Sequence, residues 1–322
     1  MRQAGKDKGG DSLAPAAAGG LDAPPVADGR AAGRIARDPE RDIVLHERLA
    51  SAPWDAPHTA RLPGTAPLQP DDWLAVDEAY AAQMALRTRL IEGHRGRVIG
   101  ALDRAGPALH ELYRTVTAAL DARPDFDVGP SRIVRPDGGA VRPDPADPLG
   151  TLGRLVTEDL CILEKAPEAP EHVLTAAVLC FPAHWSLAEK LGRPMRRIHA
   201  PVGRYTDVVA RRVQRLLDGL APGRMLMRMN ALGAETPWLF TPGREADAVE
   251  DLDAGTAFLR SERQVFVRLP QSRAIVFSIQ TRLLPWGALT PQQAAGAAAY
   301  LARQREAAAE AAHAATDGRS GA

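Results

Sequence analysis

Cysteine is nearly absent from this chain, whose 322 residues hold two, Cys161 and Cys180. Two thiols cannot build a disulfide framework, and they predict reduced packing residues in a cytoplasmic protein. They also fall short of the four thiolates that an iron–sulfur cluster usually takes. No apolar run reaches the ~18 residues that a transmembrane helix needs. The opening stretch MRQAGKDKGGDSLAPAAAGG has no continuous apolar segment of the secretory-signal kind. Charge of one sign is lacking too. Lys and Arg number 40 against 40 Asp and Glu, which excludes the globally basic profile of a nucleic-acid coat. There is no Gly-rich phosphate loop, no HExxH, no zinc-type Cys/His spacing, no GxSxG elbow and no internal repeat.

Aromatic residues are also scarce, at 5%, and the first is Trp54. The Ala-, Gly- and Pro-rich stretch 1–50 buries too little apolar surface to offset its ordering entropy, so it reads as a disordered tail. The span 51–290 then reads as the folded domain. Residues 291–322 read as an Ala-rich helix and tail, lightly docked because its apolar face is mostly methyl groups.

Within the folded span the pattern changes style. DDWLAVDEAYAAQMALRTRLIEG (71–93) spaces Trp73, Val76, Tyr80, Met84 and Leu90 for a helix, with Asp71 or Asp72 as N-cap. ALHELYRTVTAALDAR (108–123) predicts a second helix ending before Pro124. Residues 130–150, rich in Pro and Gly, read as loop with room for one hairpin. LGRLVTEDLCIL (152–163) reads as helix passing into an edge strand. Segments 172–180, 224–230, 258–270 and 274–284 carry β-branched or alternating apolar residues and predict strands. Helices are expected at 185–192 and 205–220. Strands, then helices, then three tightly joined strands make an α+β pattern with an antiparallel sheet.

Charge is uneven within the neutral total. From Arg193 to Arg228 nine arginines face two acids, Asp207 and Asp218. Such a run is commonly a solvated helix face with snorkelling side chains; the sharper reading is an anion site or a docking surface. His199 lies in the same stretch, in a Pro-bounded loop before a long helix. A lone histidine is commonly a surface or satisfied core residue, yet a haem-type axial ligand needs only one imidazole.

Three blocks carry a resemblance: LGRLVTEDLCIL, then VLCFPAHWSLAEKLGRPMRRIHAPVGRY (178–205), then FLRSERQVFVRLPQSRAIVFSIQT (258–281). With PLQPDDWLAVDEAYAAQM (67–84) upstream, they resemble the haem-dependent oxidative N-demethylase family over roughly 60–290. The resemblance implies a PAS-like fold, with helices on one side of the sheet and helical segments before it. It implies haem b, O2 and removal of an N-methyl group from a small secondary amine such as dimethylamine. The methyl carbon is then hydroxylated, and the carbinolamine collapses to formaldehyde and a primary amine. It implies electrons from NADPH through a separate reductase carrying flavin and an iron–sulfur cluster, and a folate-dependent acceptor for formaldehyde. No nucleic-acid or membrane partner is implied.

On this resemblance His199, in the IH-x-PV block, is the expected axial ligand of the iron. Arg193, Arg196, Arg197, Arg204 and Lys190 become candidates to neutralise haem propionates, and Arg211, Arg212 and Arg215 a docking face for an acidic partner. Substrate amines arrive as cations, so Glu262, Glu158 and Asp159 become the candidate catalytic carboxylates, each with a structural ion pair as its plainer role. Thr157, Ala231 and Arg282 depart from the family pattern, and the lost bulk is expected to enlarge the pocket, to weaken packing around the haem or to mark a subfamily acting on a different amine. The competing functional class is a PAS-like haem sensor or non-catalytic haem-binding protein, since fold alone does not fix activity.

Overall fold

The computed structural model describes residues 42–56, 59, 64–200, 205–243 and 257–317. It is an α+β structure whose main sheet has seven strands, every pairing antiparallel. In chain order the strands are β1 (Ala66–Leu68), β2 (Ile99–Ala101), β6 (Asp159–Glu164), β7 (Val173–Val178), β8 (Met225–Ala234), β9 (Phe258–Arg268) and β10 (Ile275–Pro285). Their spatial order is β1-β8-β9-β10-β6-β7-β2. The Pro- and Gly-rich stretch folds into a small sheet of its own, β3 (Asp127–Val128), β4 (Ile133–Val134) and β5 (Ala140–Val141). The helices are α1 (Tyr80–Gly93), α2 (Arg95–Val98), α3 (Gly106–Asp121), α4 (Pro148–Gly153), α5 (Leu187–Lys190), α6 (Met195–Ile198), α7 (Asp207–Gly219) and α8 (Pro291–Asp317).

Strand parity decides what covers each face of the sheet. Leu160, Ile162, Val265, Val267 and Val276 pack with Leu86 and Leu90 of α1, Leu112 and Val116 of α3, and Leu152 of α4. Their alternates Cys161, Leu163, Phe266 and Ile275 pack with Leu187 of α5, Met195 of α6 and Leu217 of α7. The helices therefore lie on both faces, which corrects the one-sided arrangement expected from the family. We call the α1 side the back and the α5–α7 side the front.

Five other expectations change. The strand in LGRLVTEDLCIL is interior, between β10 and β7, because its residues bury on both faces. The helix predicted from residue 71 starts at Tyr80 instead. The backbone of 72–75 is captured by distant side chains: Arg263 donates to the carbonyls of Asp72 and Trp73, Arg123 to that of Leu74, and Glu158 accepts the Ala75 N–H. Asp71 and Asp72 lie in a short 3₁₀ turn rather than at a helix cap.

Residues 42–50, placed by composition in the tail, are packed: Val44, His46 and Leu49 are buried, and the His46 N–H donates to the Leu283 carbonyl. Residues 1–41 lie outside the described set. The Ala-rich helix is more than lightly docked in its first half, where Ala297, Tyr300 and Leu301 are buried against Leu49, Ala231, Leu259 and Leu284. Small residues let α8 approach closely, and a Cβ added at Gly296 would sit 2.5 Å from the Trp54 indole.

Candidate functional site

His199 caps the C-terminal end of α6, a single helical turn. The turn is tied down from several sides. Backbone bonds from Met195 N to His172 O, Leu174 N to Arg193 O and Gly192 N to Leu174 O anchor it to β7. Lys190, 4% exposed, donates from Nζ to the Ile198 carbonyl at 2.7 Å. The Tyr205 ring stacks on the imidazole, centroids 4.3 Å apart and planes 19° from parallel.

The tautomer follows from the contacts. Nδ1 of His199 is 2.8 Å from the Met195 carbonyl oxygen, which can only accept. Nδ1 therefore carries the proton and Nε2 keeps its lone pair. Burial above all, opposed by the Met195 bond and aided by the nearby Arg228 and Lys190 charges, holds the imidazole pKa down at about 4. The ring is neutral near pH 7. A neutral imidazole with one nitrogen held by a backbone carbonyl is the form in which histidine ligates a metal.

Cross-strand register builds a polar row on the front face. Gln264 of β9 lies opposite Arg228 of β8 and Ile279 of β10; Glu262 lies opposite Asn230 and Thr281. Alternation along β9 puts Arg260, Glu262, Gln264 and Phe266 on this one face, so the row runs from polar into the apolar cluster under α7. Arg260, 2% exposed, is a clamp. Its guanidinium donates to Glu262 Oε1 at 3.1 Å, to the Leu239 carbonyl at 3.2 Å, to Thr281 Oγ1 at 3.4 Å and to the Phe181 carbonyl. Glu262 Oε2 accepts from Gln264 Nε2 at 2.9 Å. Both Glu262 oxygens are thus engaged, while Gln264 Oε1 and Tyr205 Oη are buried with no hydrogen-bond partner among the described residues.

The three candidate acids do not share a site. Glu262 belongs to the front row. Glu158 is buried behind the sheet, 3.9 Å from Arg263, with burial raising its pKa against the Arg263 charge. Asp159 is committed to the scaffold: Oδ1 receives Arg87 Nη1 at 2.6 Å and the Cys180 N–H at 2.7 Å, and Oδ2 the Phe181 N–H at 2.9 Å.

The cations are spread as well. Arg193, Arg196 and Arg197 are exposed, and Arg196 pairs with Glu171 and Asp207. Arg204 lies outside the described residues. Arg211, Arg212 and Arg215 form an exposed strip on α7. Cys161 and Cys180 are buried free thiols, and burial lifts Cys180 to about 12, which leaves both inert.

The three departures lie away from the front row. Ala231 packs in the α8 cluster, Arg282 pairs with Asp77 at 3.2 Å, and Thr157 Oγ1 donates to the Ala75 carbonyl at 3.4 Å. Three residues of the site, Tyr205, Arg260 and Gln264, were not singled out from the sequence, and Arg228 stood there only as one of the arginine run. Spacing held the signal for two of them, because polar residues at 260, 262 and 264 of one strand must share a face.

The residues present fit a haem in one respect that the structure displays directly. His199 offers a neutral Nε2 near Arg228, a cation suited to a propionate, and Tyr205 Oη is a buried hydroxyl with no hydrogen-bond partner among the described residues. Among the described residues no three His, Cys, Asp or Glu side chains group as a metal site. A family model described as haem-dependent oxidative N-demethylase, alpha subunit-like, matches residues 64–311. The matched span takes in β1 through most of α8, including the His199 turn and the front row, and the chain belongs to the haem-dependent oxidative N-demethylase alpha subunit-like family.

Proposed function

We propose that this chain is the haem-carrying subunit of an oxidative demethylase that removes a methyl group from a small secondary amine and releases formaldehyde. The observation that carries the reading is the family match over a span that includes His199, whose imidazole is neutral with its Nδ1 proton fixed on a carbonyl. In this reading the sheet and the α5–α7 layer are a PAS-like haem fold, and His199 Nε2 is the axial ligand. Haem b, when bound, supplies the oxidation of the N-methyl group by O2.

The chain's own residues do the rest. Lys190 and the Met195 carbonyl hold the imidazole in one orientation and one tautomer, so ligation needs no reorganisation. Tyr205, stacked on the ring, restricts its rotation. Arg228 meets carboxylate charge from the cofactor. Arg260 fixes Glu262, whose negative charge beside the front row favours a cationic amine over a neutral competitor of equal size. Asp159 and Glu158 keep the plainer role of scaffold acids, Asp159 paired with Arg87 and holding the Cys180 and Phe181 amides, Glu158 near Arg263 and holding the Ala75 N–H.

The alpha-subunit description implies further subunits. The exposed strip of Arg211, Arg212 and Arg215, on the helix that follows His199 and Tyr205, suits an acidic partner delivering electrons from NADPH through flavin and an iron–sulfur cluster. A folate-dependent acceptor for formaldehyde completes the scheme. The test is formaldehyde release from dimethylamine by the haem-loaded chain with O2 and a reductant, expected in proportion to amine consumed. Haem binding with no turnover of any small secondary amine would return the protein to the sensor class.

A further inference from the structure

We infer that the amide oxygen of Gln264 is the group that receives the N–H of the substrate ammonium, with Glu262 supplying charge from behind it rather than contacting the substrate. The inference rests on the amine reading above and names a contact within that site.

Geometry separates the two residues. Glu262 has one oxygen on Arg260 at 3.1 Å and the other on Gln264 Nε2 at 2.9 Å. A ligand contacting Glu262 directly would compete with both bonds. Gln264 is 7% exposed, and its Nε2 is spent on Glu262, which turns Oε1 the other way. That oxygen is buried and has no partner among the described residues. Leaving a buried acceptor unmet is costly, so the position is made for a donor.

The chemistry of the unmet atom selects the ligand. A carbonyl oxygen repels a propionate carboxylate and accepts from an N–H or O–H group. Its cross-strand neighbours are Arg228 on one side and Ile279 on the other, and Phe266 follows two residues along β9. Arg228 meets anionic groups, whereas Ile279 and Phe266 offer apolar surface to N-methyl groups. One strand position thus joins an unmet acceptor and apolar contact, which a methylated ammonium with at least one N–H can use together. A quaternary ammonium has no N–H to give, so the same site discriminates against it.

Isothermal titration calorimetry of the full-length haem-loaded chain with dimethylammonium chloride, and with tetramethylammonium chloride as the donor-free probe, tests this. The wild-type chain is expected to bind dimethylammonium and to prefer it over tetramethylammonium. Gln264→Met keeps length and removes the acceptor; it should weaken dimethylammonium binding by roughly 10- to 100-fold, the effect of one hydrogen bond to a charged group, and erase the preference. Gln264→Asn keeps the amide but withdraws it, and should fall between the two. It also serves as the variant of record if Gln264→Met fails to fold. Unchanged affinity and preference in either folded variant overturns the assignment while leaving the amine reading intact. No binding of dimethylammonium by the wild-type chain overturns both.

Discussion

Replacing Arg87 by Ala removes the most heavily used side chain of the scaffold behind the site. Its guanidinium is fully buried and donates to four oxygens: Gly153 O at 3.0 Å, Thr157 O at 3.2 Å, Glu158 O at 3.0 Å and Asp159 Oδ1 at 2.6 Å. Loss of the cation leaves Asp159 charged at 1% side-chain exposure, held only by the Cys180 and Phe181 amides. Breaking a buried pair from one side costs about 3–5 kcal/mol. At about 2–4 °C per kcal/mol for a chain of this size, the melting temperature should fall by roughly 6–20 °C. Urea denaturation followed by tryptophan fluorescence reads the loss directly. The double variant Arg87→Ala/Asp159→Ala should be less destabilised than the sum of the singles, because no uncompensated charge remains, with a coupling of about 0.5–3 kcal/mol. A single-variant loss under about 1 kcal/mol, or strict additivity of the pair, would refute a scaffold role for Asp159 and return it to the catalytic candidates.

That outcome bears on how much the sequence disclosed. Alanine content identified α8, and apolar patterning identified β7 to β10, α3 and α7. It missed the start of α1, since the capture of the 72–75 backbone by Arg263, Arg123 and Glu158 comes from residues up to 191 positions away. It also put β6 at an edge, because a six-residue apolar strand reads alike whether one neighbour or two flank it. The His199 turn was recognisable through its family block, and its neutral tautomer was not, because that depends on the Met195 carbonyl four residues back. Glu262, Glu158 and Asp159 looked equivalent as carboxylates in apolar runs. Their partners, Arg260 with Gln264, Arg263, and Arg87, are set by register and packing, and those partners give the three acids different roles.

Two further outcomes follow from the packing and the charges. His199 has a folded pKa near 4 against about 6.5 unfolded, so the unfolded chain binds the extra proton between those values. Its contribution to stability is full above pH 6.5 and is lost as pH falls toward 4. Urea midpoints across that window should drop more steeply for wild type than for His199→Phe; parallel slopes would contradict the neutral imidazole. Gly296→Val forces a side chain to within 2.5 Å of the Trp54 ring and should destabilise the α8 dock by about 1–3 kcal/mol, measured by thermal unfolding, and no loss would mean that α8 sits elsewhere.

The central claim is that His199 Nε2 ligates haem iron, and haem titration of the purified chain followed by its Soret absorbance tests it most directly. Wild type should take up one haem per chain with a spectrum that imidazole ligation explains, and His199→Ala should lose that spectrum and regain it when free imidazole is added. An identical spectrum in His199→Ala would assign the ligand to another residue, and no Soret change in the wild-type chain would contradict the account as a whole.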